Sequence, residues 1–430
     1  MIVEDLYIST PTFEVIQPLI ITSRLFGLFP ISYKKNGNNY CLKWSIVYGV
    51  YSYSLSVGLV LWTITGIALD MKREPQHSLR MTDEKTRFVT GGDFSIVVII
   101  VIFGTLTLHL KVKKFWKLMI TLNQADSIIP FKNSKRTRKA SIIFLSTIVG
   151  AVSFLMTFDI ATWFLKMSRR GMTPIYYLRY YFAFYVLYTI IIMKEAFYWH
   201  VIFLIKIRIS LLNKDLKKMK EIANFKDGNC FLQKIVGKDH LDKVSGSTVR
   251  QIGRNTNTAI NAYIKNNENI DLGKRLITLS IFHDRIFEAV GIVNNSFEFC
   301  IHVIMLSCLL HLIVTPYFLL KGLFGDGELY YILLQSAWLI GHIGRVLIIV
   351  EPCQYCINEH KKTSGIICEM LSHEVDEELK KAMTILSLQI SYCKLQFSSC
   401  GFFKINRSLL TSIAGAVTTY LVILFQFNDT

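Results

Sequence analysis

The chain is expected to be an all-α polytopic membrane protein with seven transmembrane helices, a cytoplasmic N-terminus and a cytosolic helical anchor. Three observations predict this. Of 430 residues, 52% are hydrophobic and only 18% charged, against roughly 25% charged in a soluble domain. Mean hydropathy is +0.38. The net charge of +17, from 48 Lys and Arg against 31 Asp and Glu, is carried in blocks between the apolar runs. Basic blocks separated by spans too apolar for a soluble core argue against a nucleic-acid partner, and the composition excludes a disordered chain or a disulfide-stapled miniprotein.

A membrane helix needs about 20 predominantly apolar residues. The stretches that meet this are Trp44–Leu69, Phe94–Leu110, Ala140–Leu165, Tyr176–Ile205, Phe297–Leu320, Leu329–Val350 and Leu409–Phe427. Val15–Phe29 is apolar but short and holds Arg24, which suits a re-entrant or interfacial helix. The start, MIVEDLYIST, lacks a basic n-region, so the first span is expected to act as the insertion signal. The connection 111–139 holds nine basic residues and one acid, Asp126, whereas 70–93 balances five with five. The positive-inside rule then puts the even-numbered connections and the N-terminus in the cytosol. A metabotropic receptor would have the opposite orientation and a cytoplasmic tail; here only a few residues follow the seventh span.

These expectations divide the chain into 1–205 (four spans with the N-terminal helix), 206–296 (cytosolic helical extensions and a flexible loop), 297–350 (two spans), 351–408 (cytosolic anchor helices) and 409–430 (the last span). The loop is placed on the Asn-rich tract Arg254–Asn269. In the sixth connection Leu379, Met383, Leu386, Ile390, Cys393 and Phe397 repeat at 4-3-4-3-4 spacing. That heptad seam serves either a helix docked on its own chain or a contact between subunits. Gly401 is expected to interrupt this helix. None of the nine cysteines falls in an outside connection, and Cys353–Cys356 is a CxxC without a matching second pair, read as free thiols rather than a zinc site.

Ionisable and polar groups inside a span are costly and face a cavity or another helix. Asp159 and Trp163, then Thr315 and Tyr317 near His311, then Gln335, Trp338 and His342 all fall in the outer halves of their spans; 335, 338 and 342 share one helical face. Singly, each is a packing group or a member of an aromatic belt. Together they mix an acid, an amide, imidazoles, hydroxyls and indoles, the chemistry that stacks on and hydrogen-bonds a sugar. No GxSxG, HExxH or P-loop occurs, so no enzyme activity and no cofactor are expected. Lys194 and Glu195, adjacent in the fourth span, are expected to bond to different neighbouring helices.

The last span reads Thr419-Tyr420-Leu421-Val422-Ile423-Leu424-Phe425-Gln426-Phe427. It resembles the TYhhhhhQF signature of the insect gustatory receptor family, and the likeness extends over nearly the whole chain. Ser307–Phe318, Val350–Cys353 and Phe158–Trp163 resemble the fructose-sensing branch, with Pro316 as a local departure at the outer end of the fifth span. The resemblance implies a ligand-gated cation channel of four copies, similar in plan to insect odorant receptor channels. The last helix would line the pore, Gln426 and Phe427 would form the gate, and D-fructose would occupy the outer pocket. The implied place is the cell membrane of chemosensory or nutrient-sensing neurons. Alternatives are a receptor of the same family tuned to another sugar or a bitter compound, or a transporter, although no internal repeat is visible.

Overall fold

The structure is a computed structural model that describes residues 5–74, 77–81, 84–131, 133–239, 249–324, 328–372 and 377–426, with side chains left aside over 84–86, 88–89, 109, 222–239, 249–271 and 424–425. Ten helices and five short strands make up these residues.

The N-terminal region departs from the expected lone helix. Strands β1 (Leu6–Ser9), β2 (Ile31–Asn36) and β3 (Asn39–Trp44) form an antiparallel sheet in the order β1-β3-β2. The two-residue β2–β3 turn is Gly37-Asn38, with Gly37 at φ 58°, the left-handed conformation glycine adopts without a Cβ penalty. Helix α1 (Thr10–Leu25) starts on Pro11 in its first turn, where a missing N–H costs nothing. Phe13 of α1 stacks on Tyr40 of β3 at 3.8 Å, which fixes the helix to the sheet.

Helix α2 (Ile46–Met71) is capped by Ser45. Helices α3 (Glu84–Leu106) and α4 (Leu108–Ile128) meet at a bend of 66°, so the second apolar stretch breaks at Thr107 instead of running to Leu110. Helix α5 (Ser134–Arg169) is unbroken, as are α6 (Ile175–Asp239), α7 (Val249–Phe324) and α8 (Leu329–Leu371). The Asn-rich tract expected as a loop lies inside α7. No proline interrupts it. Pro316 sits within α7 without ending it.

Among the described residues, α2, α5, Leu272–Phe324 and α8 are each long and apolar enough to cross a membrane, and the bent α3–α4 pair supplies a fifth span if taken as one. The fourth expected span differs from these in carrying Lys194, Glu195 and seven tyrosines between 176 and 205. The reason is position. Tyr177, Tyr181, Ala183, Leu187, Ala196, Val201, Ile202 and Ile205 are fully buried on every side of α6, so its polar groups meet protein rather than lipid. The seventh, Arg407–Ile423, is apolar and shorter.

Two buried ion pairs fasten α6. Arg208 donates from Nε and Nη2 to the two oxygens of Asp126 on α4 at 2.9 and 2.6 Å, and Thr12 of α1 donates to the same carboxylate at 2.6 Å. The lone acid of the basic second connection is thus a buried counter-ion. Glu195 binds Arg345 of α8, with Nη2 and Nε at 2.7 and 3.0 Å. Lys194 points elsewhere, toward the Ile100 carbonyl of α3.

Helix α9 (Glu377–Tyr392) buries Leu379, Met383, Leu386 and Ile390 against α7 and α8 of the same chain. The heptad therefore serves intrachain docking. The helix ends at Tyr392, so Cys393 and Phe397 lie beyond it. Gly401 does not interrupt it; with φ 73° it turns the hairpin of β4 (Ser398–Ser399) and β5 (Phe403–Lys404). Helix α10 (Arg407–Gln426) follows. Its base is held by a bidentate contact, Arg407 Nε and Nη2 to Glu351 at 2.9 and 2.8 Å, which keeps the Glu351 carboxyl below its ordinary range.

Candidate ligand cavity

A cavity of about 210 Å³ opens between α3, α5, α6, α7 and α8, at the end of the bundle where the connections 70–93 and 166–174 lie. Six of the seven residues expected to bind ligand line it: Asp159, Trp163, Thr315, Gln335, Trp338 and His342. Tyr317 does not. On α7 the lining face is His311, Val314, Thr315 and Phe318, and 317 is rotated well off that stripe; its ring packs edge-on to Phe318 at 5.5 Å.

Asp159 is the most connected group. It is 1% exposed, and Arg80 Nη2 donates to its Oδ2 at 2.7 Å. The Tyr185 hydroxyl donates to the same oxygen, and Trp338 Nε1 donates to Oδ1 at 3.3 Å. Tyr177 and Tyr185 hydroxyls are 2.6 Å apart, which extends the network along α6. Arg80 comes from the connection between α2 and α3. Asp70 at the end of α2 folds that segment inward by accepting from Ser78 Oγ at 3.0 Å, Leu79 N at 2.8 Å and the Tyr181 hydroxyl at 2.6 Å. The guanidinium then lies 4.9 Å from the Trp163 ring centre, and Lys166 Nζ 4.7 Å from it. Sequence reasoning missed Arg80, because a loop arginine reads only as a topology signal.

The floor is aromatic. Trp338 stacks on His342 at 5.5 Å and meets Tyr188 edge-on at 5.4 Å. Tyr188 approaches His342 Nδ1 at 3.3 Å and accepts from Arg345 Nη1 at 2.7 Å. His311 Nε2 comes within 2.8 Å of Asp93 Oδ1, poorly aligned for a hydrogen bond. Two lining groups are unspent: the Gln335 amide and the Thr315 hydroxyl make no hydrogen bond to any described residue. Asp159 is spent on Arg80, Tyr185 and Trp338, and the remaining unbonded charged atoms, Arg80 Nε and Asp93 Oδ1, are of opposite sign; with a free amide and hydroxyl beside them the cavity suits a neutral, hydroxylated ligand.

The expected signature residues stand apart from the cavity. Thr419 and Tyr420 lie on exposed faces of α10, Tyr420 at 52%, and Gln426 ends the described helix, also exposed. Phe427 lies outside the described residues. Cys353 is engaged by the Tyr198 hydroxyl at 3.2 Å. Among the described residues no group of three or more His, Cys, Asp or Glu side chains is placed to hold a metal ion.

The fold is similar to the insect olfactory receptor OR5 from Machilis hrabei, with a TM-score of 0.60 and 12% identity over 96% of this chain and 97% of that one. The same receptor in complex with eugenol gives 0.60 at 13% identity. The fold and the cavity thus define an all-α polytopic membrane protein of the insect receptor fold. The 7tm chemosensory receptor family model matches residues 16–430, and the chain belongs to that family, which is one of receptors and not of enzymes. The gustatory receptor for sugar taste 43a of Drosophila melanogaster is 28% identical over 97% of this chain and 99% of its own. Gustatory and pheromone receptor 32a of the same fly is 28% identical over 45% of this chain and 41% of its own.

Proposed function

We propose that the protein is a gustatory receptor acting as a D-fructose-gated, non-selective cation channel in the cell membrane of chemosensory or nutrient-sensing neurons. Four copies surround one pore, α10 of each lines it, and Gln426 with Phe427 forms the gate. The observation that carries the ligand class is the cavity in which an indole and imidazole floor faces the free Gln335 amide and Thr315 hydroxyl. The full-length similarity to a receptor for sugar taste supports it.

Helix α8 offers the route from ligand to gate. It carries Gln335, Trp338 and His342 in its first half and Glu351 near its middle, where Arg407 ties in α10. A sugar that binds the open arrangement about tenfold better contributes about 1.4 kcal/mol per site, and four sites about 5.5 kcal/mol, enough to move a 1:99 equilibrium to 99:1. Expression with a panel of sugars and bitter compounds, read by calcium influx, tests this. Fructose should evoke influx. Influx with a bitter compound alone would replace the ligand, and uptake of sugar without unitary currents would favour a transporter.

A further inference from the structure

A second, smaller cavity lies further along α3, α6 and α7 from the ligand cavity, and its chemistry differs. It holds about 40 Å³ and is walled by Phe29, Val101, Ile190, Phe197 and Phe297, with Lys111 and Lys194 reaching in. Both ammoniums converge on Gly104: a Cβ built there would collide with Lys194 Nζ and lie 3.6 Å from Lys111 Nζ. Among the described residues neither lysine has a carboxylate within ion-pair distance, and Lys194 finds only the Ile100 carbonyl at 3.4 Å. Two like charges held over one glycine in an apolar-walled cavity repel each other unless an anion sits between them. The α3–α4 break adds to the positive field. The Thr107 hydroxyl turns back to the Phe103 carbonyl, so the first turn of α4 has no side-chain cap, and Leu108 of that turn lines the cavity; its free N–H groups favour negative charge.

The geometry points to a binding site for the phosphate of an anionic phospholipid of the inner leaflet, held by Lys111 and Lys194. The volume has room for about three waters, at roughly 10–15 Å³ each, about the space of one tetrahedral oxyanion, and leaves the rest of a lipid outside. Depth favours a lipid as its source. Lys194 is 19 residues along α6 from Ile175, about 29 Å at 1.5 Å per residue, close to the roughly 30 Å of the hydrocarbon core. The site therefore falls at the level of the inner headgroups, with aromatic and aliphatic walls facing the chains.

The test is the melting temperature of the purified full-length protein in neutral detergent, titrated with dioctanoyl phosphatidic acid, dioctanoyl phosphatidylcholine and inorganic phosphate. Phosphatidic acid should raise Tm saturably, while the other two at the same concentrations should not. Lys194→Met and Lys111→Met should each raise the half-saturating concentration at least tenfold. Lys114→Met, which removes a nearby surface charge bonded instead to the Asn295 carbonyl, should leave it unchanged. If Lys194→Met does not fold, the half-exposed Lys111 carries the test. An equal shift in Lys111→Met, or in wild type with phosphatidylcholine, would overturn the site. An equal shift with inorganic phosphate would overturn the lipid as its occupant.

Discussion

Gln335→Ala separates ligand binding from folding more cleanly than any other change in the cavity. The amide lines the cavity yet makes no hydrogen bond to a described residue, so truncation leaves no buried partner stranded. Folding should change by less than about 0.5 kcal/mol, as for an ordinary surface substitution. In the liganded receptor the same amide can give and accept one hydrogen bond each to sugar hydroxyls. At about 0.5–1.5 kcal/mol per neutral bond the loss is about 1–3 kcal/mol, or roughly 5- to 150-fold in affinity at each site. Fructose dose–response by calcium influx, with surface labelling and a thermal melt of the purified protein, measures both halves. A right-shifted response with unchanged melting is expected. An unchanged response with normal surface expression would refute the cavity as the sugar site; a large fall in melting temperature would show the amide to be structural.

Other changes should sort by what they strand. Asp159→Asn leaves the Arg80 guanidinium without its counter-charge in a buried network and should cost on the order of 3 kcal/mol of stability, seen as a lower melting temperature and poor surface expression. Arg407→Ala frees the base of α10 from Glu351 without touching the cavity. It should alter the maximal fructose response while leaving binding of labelled sugar unchanged. Phe427→Ala removes the proposed aromatic plug and should raise ligand-independent current in patch recordings; silence at normal surface density would count against it. His283 of α7 and His360 of α8 share a 3.0 Å Nε2 contact, and burial with the neighbouring imidazole lowers His283 to about 4. A folded-state value below the ordinary 6.5 means the unfolded chain binds the proton first. Stability should be full above about pH 6.5 and fall by up to roughly 3 kcal/mol as the pH drops toward 4. Melting against pH checks this, and His283→Phe should flatten the profile.

Much of the helical plan was legible because bilayer physics writes itself into hydropathy. The face shared by Gln335, Trp338 and His342 could be read directly from helical spacing. The same wheel, applied to α7, would have set Tyr317 aside. The β2–β3 hairpin has a Gly37-Asn38 turn signal that lies outside the long apolar runs. Other features need tertiary information. The repeat from Leu379 to Ile390 looks identical whether its partner is the same chain or another. The bend at Thr107 carries no proline. Arg80 enters the cavity only because Asp70 folds its connection inward, a contact between residues that sequence alone reads as a solvated, charge-balanced loop. Helix α6 is legible as an apolar run, but its enclosure by protein on every side is not, because the helices that bury it are distant in sequence.

The central claim is that sugar caught in this cavity opens a pore made by this chain. Planar-bilayer recording of the purified protein, reconstituted alone, tests it most directly. The account predicts unitary cation currents that appear when D-fructose is added and vanish on washout. Bilayers that bind labelled fructose yet stay electrically silent would contradict it.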